Sequence, residues 1–258
     1  MKFGICTLIE NTPAMKSAGW DYVEESVQGF FQGLIPDSQW HGLEKSRQSP
    51  LPVLACNLLV PGQLKITGPD ANLDKLRAYM TNVTRRAGQV GAKILVFGSA
   101  GARQIPDGFD REKARQQIIA FARMAAELAG QQGVTIVAEP LNRKESNVIN
   151  SVAEGMDYVS AVNHPNFKCL VDSYHFWLES EPLDNLRNAM KSIAHVHLAD
   201  TEGRVAPSLS GKSNYRPFFK VLREGGYNGM ISVESAPMDI PQDGARILAY
   251  IKEQWNSA

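Results

Sequence analysis

The chain has 258 residues, of which 43% are hydrophobic and 21% are charged, and its 27 basic and 27 acidic side chains cancel. This composition is too apolar for a disordered chain, and it gives no basic surplus that would favour nucleic acid as a partner. No apolar run approaches the roughly 20 residues that span a bilayer, so we expect no membrane partner and a soluble, cytoplasmic protein.

Short apolar segments alternate with helical patterns along the whole chain. The predicted strands are Phe3–Cys6, Tyr22–Val27, Val53–Cys56, Ile94–Phe97, Thr135–Ala138, Phe167–Val171, Ile193–Val196 and Met230–Val233. The predicted helices are Pro13–Ala18, Ser38–Arg47, Asn72–Val90, one capped by Asp110, one from Ser151 to Val162, Leu183–Met190, Tyr215–Glu224 and Asp243–Trp255. Eight such units without a composition break predict a single (β/α)8 TIM barrel, with residues 1–258 as one catalytic domain.

An open, doubly wound sheet is the alternative fold. It would usually carry a glycine-rich phosphate turn after the first strand, and Thr7–Thr12 contains no glycine. Cys6, Cys56 and Cys169 are an odd number of cysteines in predicted buried strands, which favours reduced core thiols over a disulfide. Gly98–Phe109 is predicted to be a mobile loop that could close over a ligand.

The segment from Thr135 to Arg143 is the most informative part of the chain. Its four apolar or β-branched residues predict a buried strand, which ends in Glu139 and is followed at once by Pro140. Proline has no N–H and cannot continue a central ladder, so the strand must stop there. Glu139 is therefore expected at the rim of the sheet.

The same pattern, an apolar strand that ends in a metal-competent side chain, recurs on the next three strands, which lead into Asp172, His197 and Glu234. The carboxyl ends of parallel barrel strands face one shared mouth, where catalysis takes place. One such residue alone would be an ordinary rim group, but three unpaired carboxylates buried together are costly without a cation. The set predicts a divalent metal site of Mn²⁺, Mg²⁺ or Co²⁺ type. His195, one layer deeper than His197, is expected to be a core residue rather than a fifth ligand.

Four motifs resemble those of the sugar isomerase/epimerase barrels, which are typified by D-tagatose and D-psicose 3-epimerases and have hydroxypyruvate isomerase and xylose isomerase as wider relatives. These motifs are Glu-Pro-Leu-Asn-Arg from Glu139, Asp172-Ser173-Tyr174-His175, His195-Val196-His197 and Val233-Glu234-Ser235. The resemblance implies that Glu139, Asp172, His197 and Glu234 hold the metal, most favourably Mn²⁺, and that Glu139 and Glu234 are the catalytic acid–base pair.

The resemblance also implies that Glu145, His175 and Arg204 bind the oxygens of a small-molecule sugar, and that the protein is a homodimer or homotetramer. The loop before Arg204 departs from the Gly-Glu pair usual in ketose epimerases and is slightly longer. The expected function is a metal-dependent epimerase or isomerase that deprotonates and reprotonates a ketose or keto-sugar through a metal-stabilised enediolate.

Three other functions fit parts of the pattern. A lyase that acts on 3-keto-glycosides would use the same residues. An endonuclease IV-like phosphodiesterase would need more histidine ligands and a basic face than five histidines and zero net charge provide. A non-catalytic sugar-binding barrel would be expected to have lost a ligand. The substrate, the stereocentre, the native metal and the choice between epimerisation, isomerisation and elimination stay open.

Overall fold

The eight strands form one closed parallel barrel in which each strand pairs with the next and the last pairs with the first. The computed structural model describes residues 1–258. The strands are Lys2–Cys6 (β1), Tyr22–Ser26 (β2), Val53–Asn57 (β3), Ile94–Phe97 (β4), Thr135–Ala138 (β5), Phe167–Asp172 (β6), Ile193–Leu198 (β7) and Met230–Val233 (β8). The predicted (β/α)8 barrel is confirmed, and the closed ring excludes the open sheet.

Ten helices accompany the strands. They are Thr12–Ser17 (α1), Gly42–Gln48 (α2), Leu73–Val90 (α3), Ala100–Arg103 (α4), Arg111–Gly130 (α5), Val152–Val162 (α6), Ser173–Leu178 (α7), Leu183–Ala189 (α8), Arg216–Glu224 (α9) and Ile240–Asn256 (α10). Side-chain caps begin several of them, because the first N–H groups of a helix have no partner within it. Asn72, Asp110 and Ser151 each accept a hydrogen bond from the backbone N–H three residues further on.

The segment Gly98–Phe109 differs from the predicted mobile loop. It contains α4, and the buried Arg103 donates to the carbonyl oxygens of Phe97 and Glu139, each at 2.8 Å. Within the segment, Ile105 lies in the hydrophobic core and Phe109 packs against it. The glycines of this segment predicted a mobile backbone. The hydrogen bonds of the buried Arg103 instead hold the segment to the ends of β4 and β5.

Three other boundaries also depart from the prediction. Helix α7 begins directly after β6, because Asp172 Oδ1 accepts the N–H of Tyr174 at 2.8 Å. The helix expected from Ser38 begins only at Gly42, after a short 3₁₀ turn. Helix α10 begins at Ile240 rather than Asp243, because Asp239 caps it and Pro241 fits its first turn.

The three cysteines are unpaired, as expected: Cys56 and Cys169 are buried and Cys6 is half-buried. No helix has both the length and the apolar character that crossing a bilayer requires. The division into one domain stays a prediction.

Candidate functional site

Four side chains from β5 to β8 converge at the carboxyl ends of their strands. We call Glu139, Asp172, His197 and Glu234 the mouth cluster; each offers one ligand atom, and these atoms lie within 4.8 Å of one another. His197 Nδ1 is 3.1 Å from Glu139 Oε1 and 3.5 Å from Glu234 Oε2. Four strands thus bring together the residues that the sequence pattern selected.

Asp172 supplies the clearest sign that the mouth cluster suits a cation. Its Oδ1 caps α7, whereas its Oδ2 is buried without any hydrogen-bond partner. A buried, unpaired carboxylate oxygen is costly, and such atoms call for an explanation. Three carboxylates and one imidazole around this oxygen form a hard, oxygen-rich donor set that fits a divalent ion of Mn²⁺, Mg²⁺ or Co²⁺ type.

The electrostatics of the mouth cluster show the same imbalance. Burial and the neighbouring Glu234 carboxylate raise the pKa of Glu139, and burial raises the pKa of Asp172. Burial would also raise the pKa of Glu234, but His197 and Arg204 outweigh it and lower that pKa to about 2. Burial lowers the pKa of His197, but the carboxylates of Glu24 and Glu234 outweigh it and raise that pKa well above its ordinary value. The three carboxylates of the mouth cluster therefore share more negative charge than His197 and Arg204 can neutralise.

Glu139 is positioned by two neighbours that the sequence analysis did not assign to the site. Gly98 follows the end of β4, and a Cβ added there would overlap Glu139 Oε2. Glycine at this position leaves room for the Glu139 carboxylate. Arg103 holds the Glu139 carbonyl, and the Glu139 N–H donates to the Phe97 carbonyl at 3.2 Å. The backbone under this carboxylate is therefore held from both sides.

Arg204 reaches the mouth cluster despite the unusual loop that carries it. Its Nη2 is 2.7 Å from Glu234 Oε2 and 3.7 Å from Asp172 Oδ2. Its backbone is in the left-handed region (φ 49°), and its carbonyl accepts the N–H of Ala236 at 2.7 Å. Such a conformation in a residue other than glycine is uncommon, and it aims this guanidinium at the carboxylates.

His175 and Glu145, the other two residues expected to bind substrate, are linked by Asn142. The Asn142 backbone N–H donates to His175 Nδ1 at 3.2 Å, and its side-chain amide donates to Glu145 Oε1 at 2.8 Å. Because Nδ1 accepts this bond, Nε2 carries the ring proton and faces Asp172 Oδ2 at 3.6 Å. Asn142 was part of the sequence motif but had no role assigned.

A cavity of about 410 Å³ opens above the mouth cluster. Glu139, Glu145, Arg204 and Glu234 line it together with Asn57, whose amide donates to Glu234 Oε1 at 2.8 Å. A second cavity, of about 430 Å³, shares the residues Ser235 and Ala236 with the first and extends along the start of α10. The two cavities therefore adjoin each other at Ser235 and Ala236.

A second polar group lies one layer deeper, and of its members the sequence analysis had named only His195. We call Tyr22, Glu24, His195 and Ser232 the floor cluster; all four are buried in the barrel. Glu24 Oε2 is 2.8 Å from His195 Nε2, and Ser232 Oγ donates to the same oxygen at 2.6 Å. Burial raises the pKa of Glu24, but His197 and His195 outweigh it and lower that pKa far below its ordinary value. His195 is a core residue, as expected.

A family profile described as "xylose isomerase-like TIM barrel" matches residues 13–253 of this chain. The chain belongs to this family. The family resemblance inferred from the four sequence motifs is thus confirmed. The matched residues contain every strand from β2 to β8 and all four members of the mouth cluster.

Curated proteins to which the chain is similar include sugar epimerases. The chain is 26% identical to D-psicose 3-epimerase of Ruminiclostridium cellulolyticum over 175 residues, which are 66% of this chain and 58% of that protein. Matches to curated relatives span a little over half of those proteins.

Solved structures share the fold over almost the whole chain. The apo form of 3-keto-D-glucoside 4-epimerase from E. coli superposes with a TM-score of 0.82 at 21% identity, over 98% of this chain and 99% of that one. D-allulose 3-epimerase from Methylomonas sp., in complex with D-allulose, gives 0.85 at 20% identity, over 98% and 97%.

Proposed function

We propose that this chain is a divalent-metal-dependent epimerase or isomerase that moves a proton at a carbon of a ketose or keto-sugar. The observation that carries the proposal is the convergence of Glu139, Glu234 and His197 on the unpartnered Asp172 Oδ2. The names of the family members support the class of reaction. Mn²⁺ is the metal we propose, with Mg²⁺ or Co²⁺ as alternatives.

Glu139, Asp172, His197 and Glu234 would hold the metal. When bound there, a divalent cation polarises the substrate's carbonyl and adjacent hydroxyl and stabilises the negative charge that proton removal leaves. Glu139 and Glu234 come from strands β5 and β8 and flank His197. We assign them to opposite faces of the sugar.

The chemistry then follows from these two carboxylates. One accepts the proton from the carbon beside the carbonyl, so that the C–H electron pair moves into the new C=C bond of an enediolate. The other donates a proton to the opposite face, a new C–H bond forms, and the centre is inverted. Donation to the neighbouring carbon would instead give the aldose–ketose isomer.

Glu145, His175 and Arg204 are assigned to substrate binding. The Nε2–H of His175 and the guanidinium of Arg204 face the mouth as donors, and Glu145 offers an acceptor at its edge. Each hydrogen bond of this kind contributes on the order of 1 kcal/mol, more where a charge takes part. The proposed ligand is a small sugar, and a homodimer or homotetramer and a cytoplasmic location stay predictions.

The decisive experiment is turnover in D₂O with a panel of ketoses that includes D-psicose and D-tagatose. The proposal expects one solvent deuterium at the inverted carbon, detected by NMR and mass spectrometry. Glu139→Gln and Glu234→Gln should each stop net epimerisation while one face still exchanges its proton, and the exposed Glu127→Gln is the matched control. Product without solvent deuterium would contradict proton transfer.

Elimination from a 3-keto-glycoside is the second candidate, because the adjoining cavity beside Ser235 and Ala236 leaves space for a second ring or aglycone. After the same proton removal, the C–O bond to the leaving group breaks, the departing oxygen takes a proton from the second glutamate and leaves as an alcohol, and an unsaturated keto-sugar forms. Mass spectrometry of a 3-keto-glucoside incubation separates the two outcomes, since elimination lowers the mass of the sugar and epimerisation in H₂O does not. The mouth cluster contains one imidazole, which does not support a multinuclear phosphodiesterase centre.

A further inference from the structure

Glu24 connects the floor cluster to the mouth cluster. It lies in the middle of β2, is buried, and its Oε1 is 3.0 Å from His197 Nε2 while its Oε2 is 2.8 Å from His195 Nε2. The same His197 ring presents Nδ1 to Glu139 and Glu234 at the mouth. One imidazole therefore has a carboxylate below it and the ligand cluster above it.

The contacts of Glu24 determine where the ring protons lie. An ionised carboxylate only accepts hydrogen bonds, so a ring nitrogen within 3 Å of it must carry a proton. Oε2 accepts from both His195 Nε2 and Ser232 Oγ, and Oε1 accepts from His197 Nε2. Both histidines thus carry a proton on Nε2, where it is sealed in the barrel interior.

This arrangement treats the two imidazoles differently. His195 Nδ1 is buried and has no hydrogen-bond partner, so it faces no carboxylate. His197 Nδ1 lies among the mouth carboxylates, and with Nε2 bonded to Glu24 it is the ring atom that would offer a lone pair to a cation there, in exchange for its own proton. Histidine ligands of metals commonly donate their other ring N–H to a carboxylate, which fixes the tautomer.

We propose that Glu24 is a positioning residue that accepts the Nε2–H of His197, which is the Nε2–H tautomer when the ring is neutral, and so makes Nδ1 the nitrogen ligand of the mouth cluster. The inference rests on the proposed metal site, but the proton on Nε2 and its bond to Glu24 can be read without any metal.

Glu25 provides a matched control on the same strand. It is the next residue, it is also buried, and it accepts backbone N–H groups from Ile9 and Ser26. Glu24→Met and Glu25→Met therefore remove the same charge from adjacent buried positions, but only the first removes the acceptor for His197. Glu24→Gln is the conservative variant, because its amide oxygen can face His197 while its NH₂ faces Ser232 and a His195 ring whose proton moves to the unpartnered Nδ1.

The experiment combines ring-nitrogen NMR of ¹⁵N-histidine protein with Mn²⁺ titration by calorimetry. The chain has five histidines, so His195 and His197 can be assigned with single substitutions. We expect Glu24→Met to weaken Mn²⁺ binding by about 10- to 100-fold, with Glu25→Met within a few-fold of wild type. Folding of each variant is checked by circular dichroism, and the wild-type spectra test the tautomer even if Glu24→Met does not fold.

Three results would overturn the inference. The first is a wild-type His197 with an unprotonated Nε2 in metal-free protein. The second is a folded Glu24→Met variant that binds Mn²⁺ as the wild type does. The third is a folded Glu24→Gln variant that keeps the proton on His197 Nε2 but binds Mn²⁺ as weakly as Glu24→Met does. Absence of Mn²⁺ binding in the wild type would instead contradict the proposed function, since the tautomer result would still stand.

Discussion

The mouth cluster and the floor cluster differ in the ratio of donors to carboxylates. At the mouth, three carboxylates share one imidazole and the partly exposed Arg204. At the floor, the single carboxylate of Glu24 accepts from His195, from Ser232 and from His197 of the mouth cluster, and Tyr22 OH lies 2.6 Å from Ser232 Oγ. Both oxygens of Glu24 are hydrogen-bonded, and the floor's unpartnered atom is the ring nitrogen His195 Nδ1, whereas the mouth's is the carboxylate oxygen Asp172 Oδ2. The ratio of donors to carboxylates, rather than burial, distinguishes a structural network from a site for a cation.

The largest effect is expected on Mn²⁺ affinity, from a substitution that removes one carboxylate from the mouth cluster. Asp172→Asn removes one anionic ligand while its shape is kept, and it should weaken Mn²⁺ binding by roughly 3 kcal/mol, or about 100-fold. Calorimetric titration of Mn²⁺ measures the change, with the exposed Asp184→Asn on α8 as control. Unchanged affinity would show that the unpartnered Oδ2 has no part in holding the ion.

A smaller effect is expected from Arg204, which we assign to the substrate rather than to the ion. Arg204→Met should lower kcat/KM for the best ketose about 5- to 150-fold, because the substrate loses a charged hydrogen-bond donor. This corresponds to a loss of about 1–3 kcal/mol of binding free energy in the transition state. Mn²⁺ affinity should stay within a few-fold. The control is Arg246→Met on α10, an arginine paired with Asp243 away from the mouth. If Mn²⁺ affinity fell and the kinetics per bound ion stayed normal, the assignment would be wrong.

The smallest effect is in the pH dependence of stability, where Glu139 and Asp172 of the mouth cluster act with the opposite sign to Glu234 and to Glu24 of the floor cluster. The raised pKa values of Glu139 and Asp172 mean that the folded, metal-free protein binds protons more tightly than the unfolded chain. Their contribution to stability therefore grows as pH falls from neutrality toward the ordinary carboxylate value near 4, by at most about 1.4 kcal/mol per pH unit for each proton. The lowered pKa of Glu24 contributes stability above its ordinary value, and this is lost as pH falls below it.

Denaturant unfolding of chelated protein over a pH series measures this difference. In Asp172→Asn the stabilisation between neutral and mildly acidic pH should shrink, because the neutral amide has no proton to take up. With saturating Mn²⁺ the sign should reverse, since the ion competes with protons for the same oxygens. If the free energy of unfolding of the metal-free wild type changed with pH as that of Asp172→Asn does, the proposed difference between the two clusters would be wrong.

The sequence predicted the barrel and the residues of the mouth cluster because both depend on local rules. Short apolar strands that end in Glu139, Asp172, His197 or Glu234 bring these side chains to one rim once the strands are parallel and adjacent. The short helices α4 and α7 were missed because their stability comes from tertiary contacts. Arg103 fastens the first to β4 and β5, and Asp172 caps the second from the site itself.

Glu24 could not be selected from sequence by the same rule, because it lies within a strand rather than at its end. Two consecutive glutamates at positions 24 and 25 made β2 the least clear strand of the pattern. The available signal was alternation: Tyr22 and Glu24 share one face of β2, as His195 and His197 share one face of β7. Pairing those two faces requires the closed barrel, which brings residues 171 positions apart to within 2.8 Å. Arg204 likewise depends on a backbone conformation that no local motif indicates.

Gly98 has a consequence for how this site can change during evolution. Since a Cβ there would overlap the Glu139 carboxylate, the end of β4 and the end of β5 cannot vary independently. A related protein that replaces Gly98 by a larger residue must also shorten or displace Glu139. If Glu139 is shortened first, an unfilled space is left beside Gly98. We therefore expect glycine at this position and glutamate before the proline of β5 to be inherited or lost together. Their joint absence in a related chain would mark a barrel that has left this chemistry.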